Sequence, residues 1–184
     1  MNTRPTGARE RLLASAKTLF AEQGYERTTV RAVAQAAAAD PALVIRYFGS
    51  KDGLFARAVE VDLRFPDLAT LPREERGSRL ARHVIALWDG PDGATLLPML
   101  RACATHETAA ETARGIFAGQ VLAMVKGLGL SDPERRAALV ASQVLGLVFC
   151  RYILGLPPVV AMDADAVAAG LGPTLQRYLH GAIT

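Results

Sequence analysis

The chain has 184 residues, of which 51% are hydrophobic, and a formal net charge of +3. A chain of this length and apolar content can bury a core, which favours a folded protein over a disordered one. Two cysteines are too few for a disulfide framework, and the longest charge-free window, between Arg136 and Arg151, holds 14 residues, too few to span a bilayer. Because the N-terminus also lacks the apolar run of a secretory signal, we expect a soluble cytoplasmic protein.

The positive charge is concentrated at one end of the chain. Residues 1–64 carry 10 Lys or Arg and 7 Asp or Glu, whereas the remaining residues carry 11 of each sign. The whole excess of +3 therefore belongs to the N-terminal third. A basic module on a neutral body is the charge distribution expected when one end of a protein faces nucleic acid.

Helical spacing of apolar residues predicts four helices in the first 65 residues. Gly24 is placed to end the first, and Thr28 to cap the second. Asp40 is placed to cap a third helix, and Ser50 a fourth. Phe65 precedes a proline, which ends the fourth helix at that point.

A loop rich in Pro, Leu and Thr, at about residues 66–72, divides the chain into two predicted domains, 1–65 and 66–184. The sequence beyond it contains no useful strand pattern and again shows helical spacing, interrupted at Gly90–Gly93. Helices are predicted at about 73–89, 94–106 with a kink at Pro98, 108–128, 133–155 and from Asp163 onwards. We therefore predict an all-α protein of about nine helices with no sheet.

The third predicted helix is only about two turns long and follows the second across Ala37–Ala39. Two short helices joined by a tight turn are typical of a helix-turn-helix, whose second helix enters the major groove of DNA. Tyr47 and Lys51, at the end of this helix, are side chains of the kind that bind phosphates. The sequence thus predicts a DNA-docking helix that ends in a phosphate clamp.

Two stretches carry a family resemblance: LFAEQGYERTTVRAVA at 19–34 and RYFGSKDGLF at 46–55. In this order and spacing they resemble the DNA-binding domain of TetR-type (tetracycline-repressor-like) transcriptional regulators, over about Ala8 to Val61. The resemblance implies an N-terminal helix-turn-helix domain followed by a helical domain for ligand binding and dimerisation. It also implies a regulator whose partners are double-stranded DNA, a small-molecule effector and a second copy of the chain.

The resemblance implies DNA-contacting positions in two groups. Phosphate contacts are implied for Thr28, Thr29, Arg31, Tyr47 and Lys51, and base-edge contacts for Pro41, Ala42, Leu43, Ile45 and Arg46. The chain departs from the family pattern at Ala38, where glycine is usual, and at Leu43 and Ile45, where a hydroxyl is usual. Arg46 is then the best candidate for bidentate guanine recognition, and the two apolar residues for thymine methyls. Taken singly, Tyr47 also fits a core aromatic, and Lys51 and Arg46 fit solvated charges.

The segments ERRAALVASQVLGLVFCRYILGLPPV and AVAAGLGPTLQRYL are similar to the last two helices of one TetR subgroup, which pair with their copies as a four-helix bundle. A helix that is apolar all round must be buried all round, which independently favours a dimer. The residues expected at or near this interface are Leu139, Gln143, Leu147, Leu154, Leu171, Leu175 and Tyr178.

The same resemblance implies an effector pocket inside the C-terminal domain. The expected lining residues are Trp88, Met99, Cys103, Phe117, Gln120, Met124, Phe149 and Tyr152. Because the set is mostly apolar, it fits a lipophilic or aromatic small molecule. Each of these side chains also fits a plain core position.

The sequence predicts no enzyme, cofactor or metal site. Its three histidines, His83, His106 and His180, have no matched nucleophile or acid, and Cys103 with His106 supplies too few ligands for structural zinc. The leading hypothesis is a dimeric repressor on a palindromic operator that an effector releases. The alternative is a dimeric small-molecule sensor or adaptor with impaired DNA binding, since Leu43 and Ile45 lack the usual hydroxyls.

Overall fold

The computed structural model describes residues 7–183, and within that range the regular structure is entirely helical. This confirms the predicted all-α class. The α-helices are α1 Ala8–Arg27, α2 Val30–Ala36, α3 Ala42–Phe48, α4 Lys51–Ala58, α5 Arg76–Asp89, α6 Pro91–Ala102, α7 Glu107–Ile116, α8 Leu122–Lys126, α9 Pro133–Val148, α10 Pro157–Val160 and α11 Ala164–His180. A π-helical turn at Phe117–Val121 joins α7 to α8, and another at Phe149–Ile153 extends α9.

The chain forms two compact units. The first contains the residues up to Val61 together with Ala94–Ala113, and the second contains Asp62–Gly93 and the residues from Arg114 onwards. The division expected from the sequence, between residues 65 and 66, differs in its placement of Ala94–Ala113. That segment joins the first unit through contacts distant in sequence, such as the rings of Tyr25 and His106 with centroids 4.2 Å apart.

The starts and ends of the N-terminal helices follow local chemistry, with one correction. Gly24 has φ of 77° and interrupts the helical backbone of α1, as its position suggested. Thr29, and not Thr28, caps α2, because its hydroxyl accepts the Ala32 N–H at 3.1 Å. The Asp40 carboxylate accepts the Ala42 N–H at 2.7 Å.

The core of the first unit lies between α1, α2, α3 and α4. Phe20 of α1 and Phe55 of α4 are buried and meet edge to face, with ring centroids 4.9 Å apart. Val44 is the buried residue of α3, whereas Phe48 at its end is only half-buried. A seven-residue helix is too short to be stable alone. Its attachment to this core therefore holds α3 in place.

In the second unit, α5 packs along α11 across two glycines. A Cβ at Gly77 would lie 2.4 Å from the carbonyl oxygen of Gly172, which no real contact tolerates. Absence of side chains at both positions lets the two backbones approach closely. The core around this contact contains Leu80, Ala81, Val84, Ile85, Val125, Ala137, Val140, Val167, Ala168, Leu171, Leu175 and Leu179.

Helix α5 ends and α6 begins at the predicted interruption, Gly90–Gly93. Gly90 follows the end of α5, and Pro91 is the first residue of α6, where a missing N–H costs nothing. A Cβ at Gly93 would lie 2.0 Å from the Trp88 carbonyl oxygen, so the tight corner requires glycine there. The helix predicted from residue 94 therefore begins three residues earlier.

One helix among the described residues, Pro133–Ile153, is long and apolar enough to cross a membrane by length and composition. Its 21 residues exceed the 14 charge-free residues counted in the sequence because the helix includes the charged residues at both ends of that window. A single helix of this kind is weak evidence for a membrane span, since apolar helices that pack against protein pass the same test.

Candidate DNA-binding surface and effector pocket

Helices α2 and α3 are joined by a turn that places Ala38 in the left-handed region, with φ of 47°. Backbone hydrogen bonds close the turn: Ala38 N–H donates to Gln35 at 3.1 Å, and Ala39 N–H donates to Ala34 at 2.9 Å. A left-handed conformation costs a residue with a Cβ about 1 kcal/mol or more. The turn therefore has the geometry of a helix-turn-helix, with alanine at the position where glycine fits best.

The predicted base-contacting residues lie on the accessible side of α3. Pro41, Ala42, Ile45 and Arg46 are exposed, and Leu43 is half-buried. Ile45 is 54% exposed, which is unusual for a large aliphatic side chain next to a well-packed core. An accessible helix face that mixes apolar residues with an arginine can offer both methyl contacts and a bidentate donor to base edges.

The predicted phosphate contacts divide into those with accessible side chains and one without. Tyr47, Thr29 and Arg31 are exposed, and the Thr29 hydroxyl, which accepts a hydrogen bond from Ala32, keeps its own proton for a phosphate. Thr28 is 0% exposed, and its hydroxyl contacts the carbonyl oxygens of Gly24 at 2.8 Å and Leu19 at 3.2 Å. The prediction of a phosphate contact by the Thr28 side chain is therefore wrong.

Lys51 begins α4 and is held on two sides. Its ammonium lies 4.1 Å from the centroid of the Tyr25 ring, and it donates to the carbonyl oxygen of Glu26 at 3.4 Å. The preceding Ser50 accepts the Gly53 N–H at 3.0 Å, which confirms the predicted cap. An ammonium has three donors, so Lys51 retains capacity for a phosphate oxygen.

The predicted effector-pocket residues are divided between the two compact units. Met99 and Cys103 belong to the first unit, and the other six belong to the second. Phe149 is 46% exposed, so in the single chain its side chain lies at the surface. The eight positions share helical spacing, but spacing alone does not reveal which helices pack together.

Gln120 and Met124, both predicted pocket residues, line a cavity of ≈ 340 Å³ in the second unit. Segment 62–69 forms its other wall, and the Gln120 Oε1 ties that segment to the helix by accepting the Leu63 N–H at 2.7 Å. The remaining lining residues include Asp62, Phe65, Pro66, Asp67, Leu68, Ala69, Ala123, Gly127 and Leu128. Sequence reasoning missed this wall because the segment has the composition of a linker.

Trp88 and Tyr152, both predicted pocket residues, stack with ring centroids 5.7 Å apart. The Tyr152 hydroxyl donates to the Asp89 carboxylate at 2.7 Å. Burial, followed by the hydrogen bond to Asp89, raises the pKa of Tyr152 to about 12, so the phenol stays protonated. The Arg151 guanidinium lies 3.5 Å from Asp89 and donates to the carbonyls of Val159 and Met162 at 2.7 and 2.8 Å, which fixes the segment after α9.

The predicted dimer residues are half-buried or exposed, with two exceptions. Leu175 is 0% exposed inside its own core, so its side chain has no surface for a direct contact with a partner. Leu171 is buried there as well, at 8%, but also borders an open groove of ≈ 490 Å³ between α9 and α11. The groove is lined by Gln143, Gly146, Leu147, Cys150, Val159, Met162, Ala166, Val167, Gly170, Leu171 and Thr174.

Large apolar side chains are exposed along α9 and the segment after it. Leu154 is 56% exposed, the highest value among these residues. The others are Leu145, Phe149, Leu156, Val160 and Met162. An accessible apolar surface of this kind marks a site of association. We call this surface the α9 apolar face.

Within the described part of the chain, no group of three or more His, Cys, Asp or Glu residues is arranged to hold a metal ion. Cys103 contacts the carbonyl oxygen of Ala109 through its thiol at 3.6 Å. The His106 imidazole pairs with the carboxylate of Glu26.

Two family models match the chain. One, described as "Bacterial regulatory proteins, tetR family", matches residues 12–58, and the other, "Tetracyclin repressor-like, C-terminal domain", matches residues 74–179. The transcriptional repressor AcnR of Corynebacterium glutamicum is 36% identical over 59 residues, which are 32% of this chain and 31% of AcnR. The chain thus matches about a third of that repressor's length.

Solved structures match over nearly the whole chain. A TetR-family regulator from Streptomyces coelicolor is 26% identical with a TM-score of 0.62, and the match covers 97% of this chain and 99% of that one. NalD, the secondary repressor of the MexAB-OprM multidrug efflux pump in Pseudomonas aeruginosa, is 21% identical with a TM-score of 0.69, covering 93% and 94%. At 21% identity the likeness to NalD shows the fold alone.

Proposed function

The chain belongs to the TetR family of transcriptional regulators, which are DNA-binding proteins and not enzymes, and from that premise we propose that it is a cytoplasmic, homodimeric repressor. It occupies a palindromic operator and is released by a lipophilic or aromatic small molecule. The observation that carries the proposal is the accessible face of α3, where Ile45, Arg46 and Tyr47 are exposed.

In this proposal α3 reads the DNA and its neighbours position it. Arg46 donates to a guanine edge, while Leu43 and Ile45 contact thymine methyls alongside the small side chains of Pro41 and Ala42. Phosphates are contacted by Thr29, Arg31, Tyr47 and Lys51. Phosphate contacts fix orientation, and base contacts supply the sequence preference.

A second copy of the chain covers the α9 apolar face and the groove beside it. Supporting this, large apolar side chains such as Leu154 are accessible on this face, whereas the other exposed large apolar residues of the described chain, Ile45 and Tyr47, belong to α3. A two-fold dimer also sets two recognition helices about 34 Å apart, one turn of DNA, as a palindrome requires. The same burial accounts for the apolar length of Pro133–Ile153 without a membrane.

The effector binds in the second unit. The cavity beside Gln120 and Met124 combines apolar side chains, such as Phe65 and Leu68, with the acidic residues Asp62 and Asp67 at its rim segment, and its apolar part suits a lipophilic or aromatic molecule. An effector releases DNA only to the extent that it binds the released conformation more tightly than the DNA-bound one. Release is therefore saturable and reversible.

Fluorescence anisotropy tests the proposal. The purified chain is titrated into a labelled duplex from immediately upstream of its own gene, and into a scrambled duplex, at two salt concentrations. We expect tighter binding to the upstream duplex that survives the higher salt, with steep salt dependence on both duplexes. Equal binding to both duplexes at every salt concentration contradicts a sequence-reading repressor of its own promoter.

A second candidate function is a dimeric small-molecule sensor or adaptor with impaired DNA binding. The observation that favours it is the pair Leu43 and Ile45, which bring aliphatic carbon, and no hydroxyl, to the exposed side of α3. Absence of salt-dependent binding to any duplex, with the dimer intact, supports this candidate. Steep salt dependence excludes it.

A further inference from the structure

The ammonium of Lys51 is held in place in the free protein. It lies 4.1 Å from the centroid of the Tyr25 ring and donates to the Glu26 carbonyl oxygen at 3.4 Å. A lysine on an exposed helix end normally samples many rotamers, and a contact that immobilises it costs entropy. Here part of that entropy is already lost on folding, before any ligand arrives.

Tyr25 itself is fixed from several directions. Its hydroxyl donates to the carboxylate of Asp52, the residue after Lys51, and its ring meets Phe55 edge to face with centroids 5.0 Å apart. Burial, followed by the hydrogen bond to Asp52, raises the pKa of Tyr25 to about 12. The phenol therefore stays protonated and keeps donating across the physiological range.

His106, directly before α7, contacts the Tyr25 ring as well. Its ring centroid is 4.2 Å from that of Tyr25, and its Nε2 pairs with the Glu26 carboxylate. Glu26 thus contacts His106 through its side chain and Lys51 through its backbone. All of these residues belong to the first compact unit.

We propose that Tyr25 and His106 are positioning residues for DNA binding, which hold the Lys51 ammonium at the start of α4 ready for a phosphate. The proposal rests on the proposed function, because it requires that Lys51 bind phosphate. The Tyr25 ring supplies the cation–π contact, and His106 keeps that ring in place. An exposed cation–π contact corresponds to about two- to fivefold in an equilibrium constant, which sets the expected loss.

The test is a double-mutant cycle between Tyr25 and Lys51, read as affinity for a random-sequence duplex at several salt concentrations. Lys51→Ala is expected to weaken binding and to reduce the salt slope by about one phosphate contact. Tyr25→Leu is expected to weaken binding about two- to fivefold in the wild type and to have no effect in the Lys51→Ala background. Lys126→Ala, which removes the same charge in the second unit, should leave the affinity unchanged.

Conservative variants separate positioning from folding. Tyr25→Phe keeps the ring and should retain most of the affinity, whereas His106→Gln removes the ring beside Tyr25 and should weaken binding less than Tyr25→Leu. His106→Phe, which restores an aromatic face, should recover the loss. Thermal unfolding of each variant identifies any that is not folded under the assay conditions, and if Tyr25→Leu is one of them, His106→Gln takes its place in the cycle, with a loss expected only in the chain that retains Lys51.

Two results overturn the inference, and they are distinguishable. If Lys51→Ala weakens binding but Tyr25→Leu has the same effect with and without Lys51, the residues are independent and no positioning occurs. If the wild type shows no salt-dependent binding to any duplex, the proposed function fails and the inference fails with it.

Discussion

The surface formed by α2, α3 and α4 in the first unit and the α9 apolar face in the second unit expose different kinds of side chain. On α2, α3 and α4 most large apolar side chains are at least half-buried, and the exposed residues include Arg31, Arg46 and Tyr47, with Ile45 as an exposed aliphatic side chain among them. On the α9 apolar face the exposed residues include Phe149 and Leu154. A charged and hydrogen-bonding face suits a polyanion, whereas an apolar face suits a second protein surface. This difference predicts that substitutions on α2, α3 and α4 alter DNA binding, whereas substitutions on the α9 apolar face alter dimerisation.

The largest expected effect comes from placing a charge on the α9 apolar face. Phe149→Glu should raise the dimer dissociation constant by about 100-fold or more, because a carboxylate would be buried without a partner on association. Phe149 is already half-exposed in the single chain, so the fold should tolerate the change. Sedimentation equilibrium measures the shift, and Ala86→Glu on the exposed side of α5 serves as the charge control. An unchanged dimer would remove this face from the interface.

A substitution at Leu175 tests whether this residue belongs to the chain's own core or to the dimer interface. Because its side chain is 0% exposed within one chain, Leu175→Ala should lower the free energy of unfolding by about 3 kcal/mol through the cavity it leaves. Chemical denaturation at fixed protein concentration measures the loss. A change in dimer affinity with no loss of intrachain stability would instead return Leu175 to the interface.

A smaller gain in stability is expected at the helix-turn-helix. Ala38→Gly should stabilise the chain by about 1 kcal/mol, since glycine adopts a φ of 47° without the Cβ clash that alanine suffers. Gly is more flexible when unfolded, which offsets part of this gain. Thermal unfolding checks the sign, and Ala36→Gly, within helix α2, should destabilise the chain. Destabilisation by both variants would contradict the strained turn.

The smallest expected effect is a dependence of stability on pH in the second unit. Burial, followed by the charges of Arg73, Arg76 and Arg136, lowers the pKa of His180 from its ordinary value of 6.5. The unfolded chain then binds the proton more readily than the folded one, so stability falls as the pH drops below 6.5 towards the folded pKa. His180→Gln should flatten this part of the profile in urea unfolding. An equally steep fall in the variant would assign it to other groups.

Local chemistry was enough to predict where several helices begin. Ser50, Pro133 and Asp163 each carry the chemistry of a helix start, and helices begin at or directly after each of them. The sequence predicted Thr28 as the N-cap of the second helix, but Thr29 caps it, which shows the limit of that chemistry. Two adjacent threonines offer the same hydroxyl, and only the packing of α1 decides which is buried.

The features that the sequence did not reveal depend on packing between residues that are distant in sequence. Periodicity placed Leu175 on an apolar face, but it does not distinguish a chain's own core from a partner's surface. Segment 62–69 has the composition of a linker, yet it forms a cavity wall because Gln120 binds its backbone. His106 contacts Tyr25 although the two residues are far apart in sequence, and no local sequence pattern predicts this contact.

The most direct test of the central claim compares Arg46→Ala and Lys51→Ala on the upstream duplex and on a scrambled duplex by anisotropy. Lys51→Ala should weaken binding to both about equally, because a phosphate contact carries no sequence information. Arg46→Ala should weaken binding to the upstream duplex alone, by about 1–3 kcal/mol, because a base contact is lost. If both variants bind both duplexes as the wild type does, α3 is not the surface by which this chain reads DNA.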